Sequence, residues 1–486
     1  MQTRNATGLV FLIVAFSAAS CGRTKASGID AKDTGRPSSD LSSVGDLPDD
    51  IGPISSKDAG DAGDTAADRA PDMPALGRDG PAAPTDATLA LDLDGRGVDA
   101  APAIYVDGGM DGGGVRVDAA AVDQGAAVDG GAAPLGCTKT GLFGTSSSFA
   151  TGGTASSVAL GDLDRDGWLD VVTGGGSGTV SVLMGKGDGS LAAKIDYAAG
   201  IRPGALALGD VDGDGKLDIV AADGSAVDVL MGKGEGSFGT AATYATKDSS
   251  AAVALGDLNA DGKPDIVTAN ARGYGYKGTV SVLLGTGSGK FASHVDYDVG
   301  YNPEGVALGD VNGDGKLDIV VANTGQDGGW STGVLLGKGN GTFAAEVEYD
   351  AGCGPVAVAL GDVNGDGKLD IVIANSMCST ASAGVLLGQG DGTFARMVEF
   401  MLASDNVTSM VLTDVNGDGA LDIVTADNYP NAVTVTFGKG DGTFLSGPNY
   451  SVNASAVALG DLNGDGSPDL VAVAGSVVTV LLGLCQ

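Results

Sequence analysis

From residue 137 onward, hydrophobic positions come in short runs separated by Gly, Asn and Asp. "GVALGD" leads into an acidic stretch, "LDIVVAN" follows it, "TGVLLGKGNGTF" comes next, and a last run closes on Tyr or Phe. Short β-rich runs bounded by such turn residues read as four antiparallel strands. No helical period interrupts them. The unit recurs seven times; its first Asp falls at 162, 210, 257, 310, 362, 414 and 461, a period near 50 residues. A fixed period of this size marks a repeat architecture. Four strands repeated seven times predict an all-β fold, a seven-bladed β-propeller over 137–486.

The recurring aromatics fit that layout. Phe238, Phe291, Phe343, Phe394 and Phe444, with Tyr197, Tyr244, Tyr297, Tyr349 and Tyr450, are expected to pack one blade against the next.

Each acidic stretch follows D-x-[DN]-x-D-G-x-x-D. Side chains at positions 1, 3, 5 and 9 converge if the chain wraps around a point. These are Asp162, Asp164, Asp166 and Asp170 in the first loop, and Asp210, Asp212, Asp214 and Asp218 in the second. They are Asp257, Asn259, Asp261 and Asp265 in the third, and Asp310, Asn312, Asp314 and Asp318 in the fourth. They are Asp362, Asn364, Asp366 and Asp370 in the fifth, and Asp414, Asn416, Asp418 and Asp422 in the sixth. The seventh has Asp461, Asn463, Asp465 and Asp469. Gly at position 6, such as Gly315, permits the sharp turn, and the carbonyl of position 7 (Lys316) can point inward. An all-oxygen set suits a hard cation, and a flexible loop suits Ca²⁺ better than Mg²⁺. Without Cys or His in the loops, zinc and copper are disfavoured. The last carboxylate at position 9 and the flanking strands exclude an EF-hand. The reading is up to seven Ca²⁺, one per bend between a blade's first two strands.

Charge agrees. The chain carries 62 Asp plus Glu against 27 Lys plus Arg, a formal charge of −35. That balance disfavours nucleic acid, which needs a basic surface. Residues 137–486 alone hold 41 acidic and 17 basic groups, so 17 − 41 = −24.

The remainder of the chain is different material. "LVFLIVAFSAA" (9–19) is an apolar segment too short to span a membrane, and "SAASC" follows it. Residues 1–21 resemble a bacterial lipoprotein signal, which implies lipidation of Cys21. The mature chain is then exported to the outer membrane or cell surface, and touches membrane through the lipid anchor only. A plain secretory signal is the alternative. Residues 22–136 are rich in Asp, Ala, Gly and Pro, with Tyr105 the one aromatic. They cannot bury enough apolar surface to offset chain entropy and read as a disordered tether. Its span is very roughly 60 Å.

The loops and the "GxGxGTF" turns of 137–486 resemble the FG-GAP/VCBS repeats, the type that forms the integrin α-subunit propeller. The resemblance implies a seven-bladed propeller with calcium loops on one face and ligand on the other. It leaves the ligand open, since such repeats occur in adhesins and beside enzyme domains.

The last repeat stops at "VVTVLLGLCQ" after three strands, and "GLFGTSSSFATGG" (141–153) aligns with "LLGKGNGTFAAEV". The N-terminal strand 146–151 is therefore expected to pair with 477–483 and close the ring. This layout places Cys137 beside Cys485 and Cys353 beside Cys378 as disulfides. Aromatics in the linking loops, Tyr274, Tyr276, Tyr301, Trp330 and Tyr429, are the candidate ligand surface. His294 is the one histidine, and no hydrolase motif appears. The expected function is a calcium-binding, surface-tethered adhesion or ligand-binding module, with a monomeric head and an extracellular protein or glycan partner. The alternatives are a calcium-using hydrolase or polysaccharide lyase, or a passive surface protein.

Overall fold

The computed structural model describes residues 142–484, apart from 274–275, 326–328, 377–379, 405, 430 and the side chain of Tyr429. The signal segment, the tether, Cys21, Cys137, Tyr274, Cys378 and Cys485 lie outside the described residues.

Among the described residues every element is a β-strand. Each repeat folds as an antiparallel sheet, exemplified by Pro303–Gly309, Asp318–Asn323, Ser331–Leu335 and Val347–Asp350, hydrogen-bonded in that order. The second strand of each repeat reads as a continuous apolar run because it is covered on both faces: Ile319, Val320 and Val321 are fully buried. First strands of successive repeats touch in turn, from Phe143–Gly161 through Ala205–Gly209 to Ala456–Gly460, and the last touches the first again. The result is a closed β-propeller.

The blade count differs from the expectation. Seven repeats are carried by six blades: five four-stranded sheets and one six-stranded sheet. The six-stranded sheet runs Ala456–Gly460, Asp469–Gly483, Phe143–Gly161, Asp170–Gly175, Thr179–Leu183, Ile195–Ala198. The reason lies in Phe143–Gly161, which is 19 residues long. Its first half pairs with Val477–Gly483 and its second half with Asp170–Gly175, and Ala155 faces both Gly475 and Gly175. Where other repeats are joined by a loop, residues 151–154 stay extended, so the first and last repeats share one sheet. Gly175 makes this possible: a Cβ there would lie 1.7 Å from the Thr154 carbonyl.

The chain's N-terminal strand closes the ring as the repeat alignment required, with Ser146 opposite Leu481 and Ala150 opposite Val477. One detail differs. The alignment set Phe149 in the place of the recurring Phe, yet Phe143 fills that role, with its ring edge-on to Tyr450 at 5.2 Å. The Tyr450 hydroxyl also accepts the backbone N–H groups of Leu142 and Phe143. The other aromatics pack between repeats as expected. Tyr197–Phe238, Tyr244–Phe291, Tyr297–Phe343 and Tyr349–Phe394 stand edge-to-face at 5.3–5.4 Å. Such pairs contribute about 0.5–1.5 kcal/mol each beyond burial. Each Tyr hydroxyl donates to a glycine carbonyl in the next repeat's hairpin, as Tyr244 does to Gly289.

Candidate cation site in the acidic loops

Each acidic loop joins the first two strands of its repeat and is wound around the carboxylate at position 1. Asp162 Oδ1 accepts the N–H of Arg165 at 2.7 Å and of Asp166 at 3.2 Å, and its Oδ2 accepts that of Gly167 at 2.9 Å. Asp210 and Asp461 hold their loops through the same three amides. The carboxylate at position 5 accepts the N–H of position 7, as Asp314 does from Lys316 at 3.1 Å. Such tight winding requires left-handed backbone at positions 4 and 6. Gly315 at position 6 has φ 78°, and Gly313 at position 4 has φ 72°. Arg165 and Ala260 take position 4 at φ 66° and 58° without being glycine. The requirement at position 4 was visible in five glycines of seven, but the sequence reading used only position 6.

Position 9 does something else. Asp318 is fully buried at the start of the second strand. Its Oδ2 accepts the N–H of Val311 at 3.0 Å, and its Oδ1 accepts that of Gly337, at the end of the third strand, at 2.7 Å. The same two bonds recur at Asp170, Asp218, Asp265, Asp370, Asp422 and Asp469. This carboxylate therefore buckles loop, second strand and third strand together. Burial pushes Asp170 and Asp218 up to about 7, against the pull of the two amides. Burial likewise raises Asp265, Asp318, Asp370, Asp422 and Asp469 to about 6.

The donor set fits a hard cation. Carboxylate oxygens of Asp162, Asp164 and Asp166 lie within 4.8 Å of one another, as do those of Asp210, Asp212 and Asp218. Burial raises Asp164, and the Asp166 charge beside it adds to the rise. Like charges this close favour a bound cation. Four loops supply a partial substitute. The position-7 lysines Lys216, Lys263, Lys316 and Lys368 reach the position-5 carboxylates Asp214, Asp261, Asp314 and Asp366 at 2.5–3.3 Å. Burial works against it, but Lys216 holds Asp214 below the usual carboxylate range. Loops one, six and seven have Trp168, Ala420 and Ser467 there instead. Trp168 spans the seam: its ring lies over Gly187 and over Gly464 of the seventh loop, where a Cβ would come within 2.3 and 2.6 Å.

At the far end of the second strands, five positions after the buried Asp, stand Asp223, Asn270, Asn323, Asn375 and Asp427, all buried. The sequence reading passed over them because they close apolar runs and look like the start of a turn. Asn270, Asn323 and Asn375 each donate to the hydroxyl opposite them on the third strand, Thr279, Ser331 and Ser382, and their further partners differ. Asn270 donates to Ser281 at 2.8 Å, Asn323 to Glu346 at 2.8 Å, and Asp427 accepts Thr434 at 2.6 Å.

The described candidate ligand aromatics sit at different linking segments. Tyr276 is exposed, Tyr301 lies beside Lys277, whose Nζ is 6.0 Å from the ring centroid, and Trp330 is half-buried in a depression farther round. Tyr429 ends the strand Asp422–Tyr429. Cys353 is disulfide-bonded. His294 sits on an outer strand connection with Nδ1 2.8 Å from Asp296, which also accepts Ser281 and Lys247.

Residues 162–221, 210–268, 257–321, 310–373 and 414–472 match the FG-GAP-like repeat. Together these segments cover more than half of the chain, which therefore belongs to the FG-GAP-like repeat family. No curated protein was found to match it. Among solved structures, one describing specific recognition of non-reducing terminal N-acetylglucosamine by an Agrocybe aegerita lectin aligns at TM-score 0.45 and 22% identity. It covers 62% of this chain and 81% of that one. BBS1N, in a complex with ARL6DN soaked with lead, aligns at TM-score 0.48 and 14% identity, covering 70% of this chain and 96% of that one. Both similarities concern the fold.

Proposed function

We propose that the chain is a calcium-stabilised ligand-binding head of the adhesion type, carried by the 22–136 tether from a lipidated Cys21 at a bacterial cell surface. The observation that carries this reading is the sevenfold acidic loop, wound the same way around its position-1 carboxylate and closed by the same buried Asp. A Ca²⁺ in each loop would supply the charge that the clustered oxygens lack. Asp, Asn and the position-7 carbonyl would hold it. Seven ions would change the charge of 137–486 from −24 to −24 + 14 = −10. Ligand, protein or glycan, would meet the opposite face, where the linking loops and polar contacts differ between repeats. Disulfides Cys137–Cys485 and Cys353–Cys378 complete the proposal. Elemental analysis of the purified protein, exchanged into metal-free buffer after calcium loading, is expected to find several Ca²⁺ per chain. Protein free of calcium after that treatment would refute the reading.

A further inference from the structure

The depression at Trp330 has a chemistry that the candidate aromatics alone did not reveal. It measures about 400 Å³ and lies between two neighbouring sheets. Trp330 precedes the strand Ser331–Leu335 of one, and Asp350 ends that sheet's outer strand, Val347–Asp350. Glu399 and Met401 come from the outer strand of the next sheet, Val398–Met401. The wall between them is the connection holding Gly352 and the disulfide-bonded Cys353.

The indole is held in place. Gly325, at φ 73°, brings its backbone so close that a Cβ would lie 2.7 Å from Trp330 Cδ1. Glu399 is oriented too: its Oε1 accepts the Ser382 hydroxyl at 2.6 Å. Asp350 Oδ1 accepts the N–H of Gly352 at 3.2 Å. Both carboxylates are on exposed positions, with lone pairs left for a ligand. Among the described residues no Lys, Arg or His lines the depression, and Met401, 58% exposed, offers a polarisable thioether at its rim.

We propose that this depression binds a cationic group, the guanidinium of an arginine in a basic segment of a partner protein. A guanidinium stacks on an aromatic face and donates in a fork to carboxylates. A neutral sugar would also stack on the indole and donate hydroxyls to the carboxylates, but it leaves their two charges unbalanced, which a guanidinium does not. The charge of −24 over residues 137–486 would steer a basic segment toward the head. The inference rests on the ligand-binding reading and narrows it to one partner chemistry.

The chain has two tryptophans, and they stand at opposite ends of the propeller. Trp168→Phe leaves Trp330 as the only indole, and Trp330→Phe leaves Trp168 beside the acidic loops. The test uses the full mature chain in calcium with Trp168→Phe. Its fluorescence is titrated with a short Arg-containing peptide, with spermidine, and with N-acetylglucosamine. The peptide is expected to shift Trp330 emission saturably, to bind more tightly than spermidine, and to weaken as salt is raised. Asp350→Asn with Glu399→Gln should weaken it about tenfold while circular dichroism stays unchanged. A response to the sugar with none to the peptide would overturn the cation assignment yet keep the ligand-binding head. Spermidine binding more tightly than the peptide would refute the protein partner. Silence toward all three probes would overturn the site itself. A calcium response at Trp168 in the Trp330→Phe variant reports separately on the loops.

Discussion

The two ends of the second strands are held in different ways: the start by one pair of bonds in every repeat, the far end by contacts that only some repeats share. At the start of Asp422–Tyr429, Asp422 is buried and bonded to Val415 and Gly438, as its counterpart is in every repeat. Five residues on, Asp427 is just as buried but accepts the hydroxyl of Thr434; in the third repeat Asn270 instead donates to Ser281 at the same place, and in the fourth and fifth Asn323 and Asn375 face glycine there. Both carboxylates have burial as the main cause of a value raised to about 6. Burial alone therefore does not explain why one end is uniform and the other varied. The proposed calcium would constrain every loop in the same way, whereas the opposite end carries local packing and whatever each repeat presents outward.

The largest effect that would sharpen this contrast is at the uniform end. Asp318→Ala strips the acceptor from the buried N–H groups of Val311 and Gly337. At about 1–3 kcal/mol for each unsatisfied donor, stability should fall by roughly 2–6 kcal/mol in denaturant unfolding. A loss below ~1 kcal/mol would mean that the buckle is dispensable.

A smaller effect is expected at the varied end, and it depends on pH. Asp427 moves from 3.8 unfolded to about 6 folded, so between those values the folded head keeps a proton that the unfolded chain has released. Stability from this group is greatest below pH 4, falls as pH rises through about 6, and stays lower above. Asp427→Asn should therefore stabilise the head above pH 6 by on the order of 1–3 kcal/mol and give no gain at pH 4. Equal effects at both pH values would contradict the assignment.

The smallest expected effect separates loops with and without an internal ammonium. Calcium in the fourth loop must displace Lys316 from Asp314, whereas the seventh loop has Ser467 in that place. Lys316→Gln should tighten calcium at that loop by about two- to fivefold, consistent with an exposed ion pair. Calorimetric titration of the variant against the parent chain checks it.

Most of this was legible in the sequence because it repeats. Strand order, the packing of the recurring aromatics between repeats and the seam between 146–150 and 477–481 follow from aligning the chain with itself, although Phe143 rather than Phe149 meets Tyr450. The blade count did not follow, because repeat number equals sheet number only where a loop breaks the ladder. Thr151–Ala155 has no such loop, and small residues at Gly152, Gly153 and Gly175 let one strand serve two repeats. The second role of position 9 was hidden for a different reason. A carboxylate in an acidic motif reads as a ligand, and nothing in the letters says that both of Asp318's oxygens also hold backbone. Asn270, Asn323 and Asn375 were missed because a polar residue at the end of an apolar run looks like the start of a turn.

The central claim is that the seven loops hold calcium and that the fold depends on it. The most direct measurement is thermal unfolding of the chelator-treated protein with and without millimolar calcium, with magnesium as the control. At a hundredfold excess over Kd each filled site adds about 2.7 kcal/mol. Several sites together should raise Tm by more than about 10 °C, with magnesium well behind. Coincident melting curves in chelator and in calcium would contradict the account.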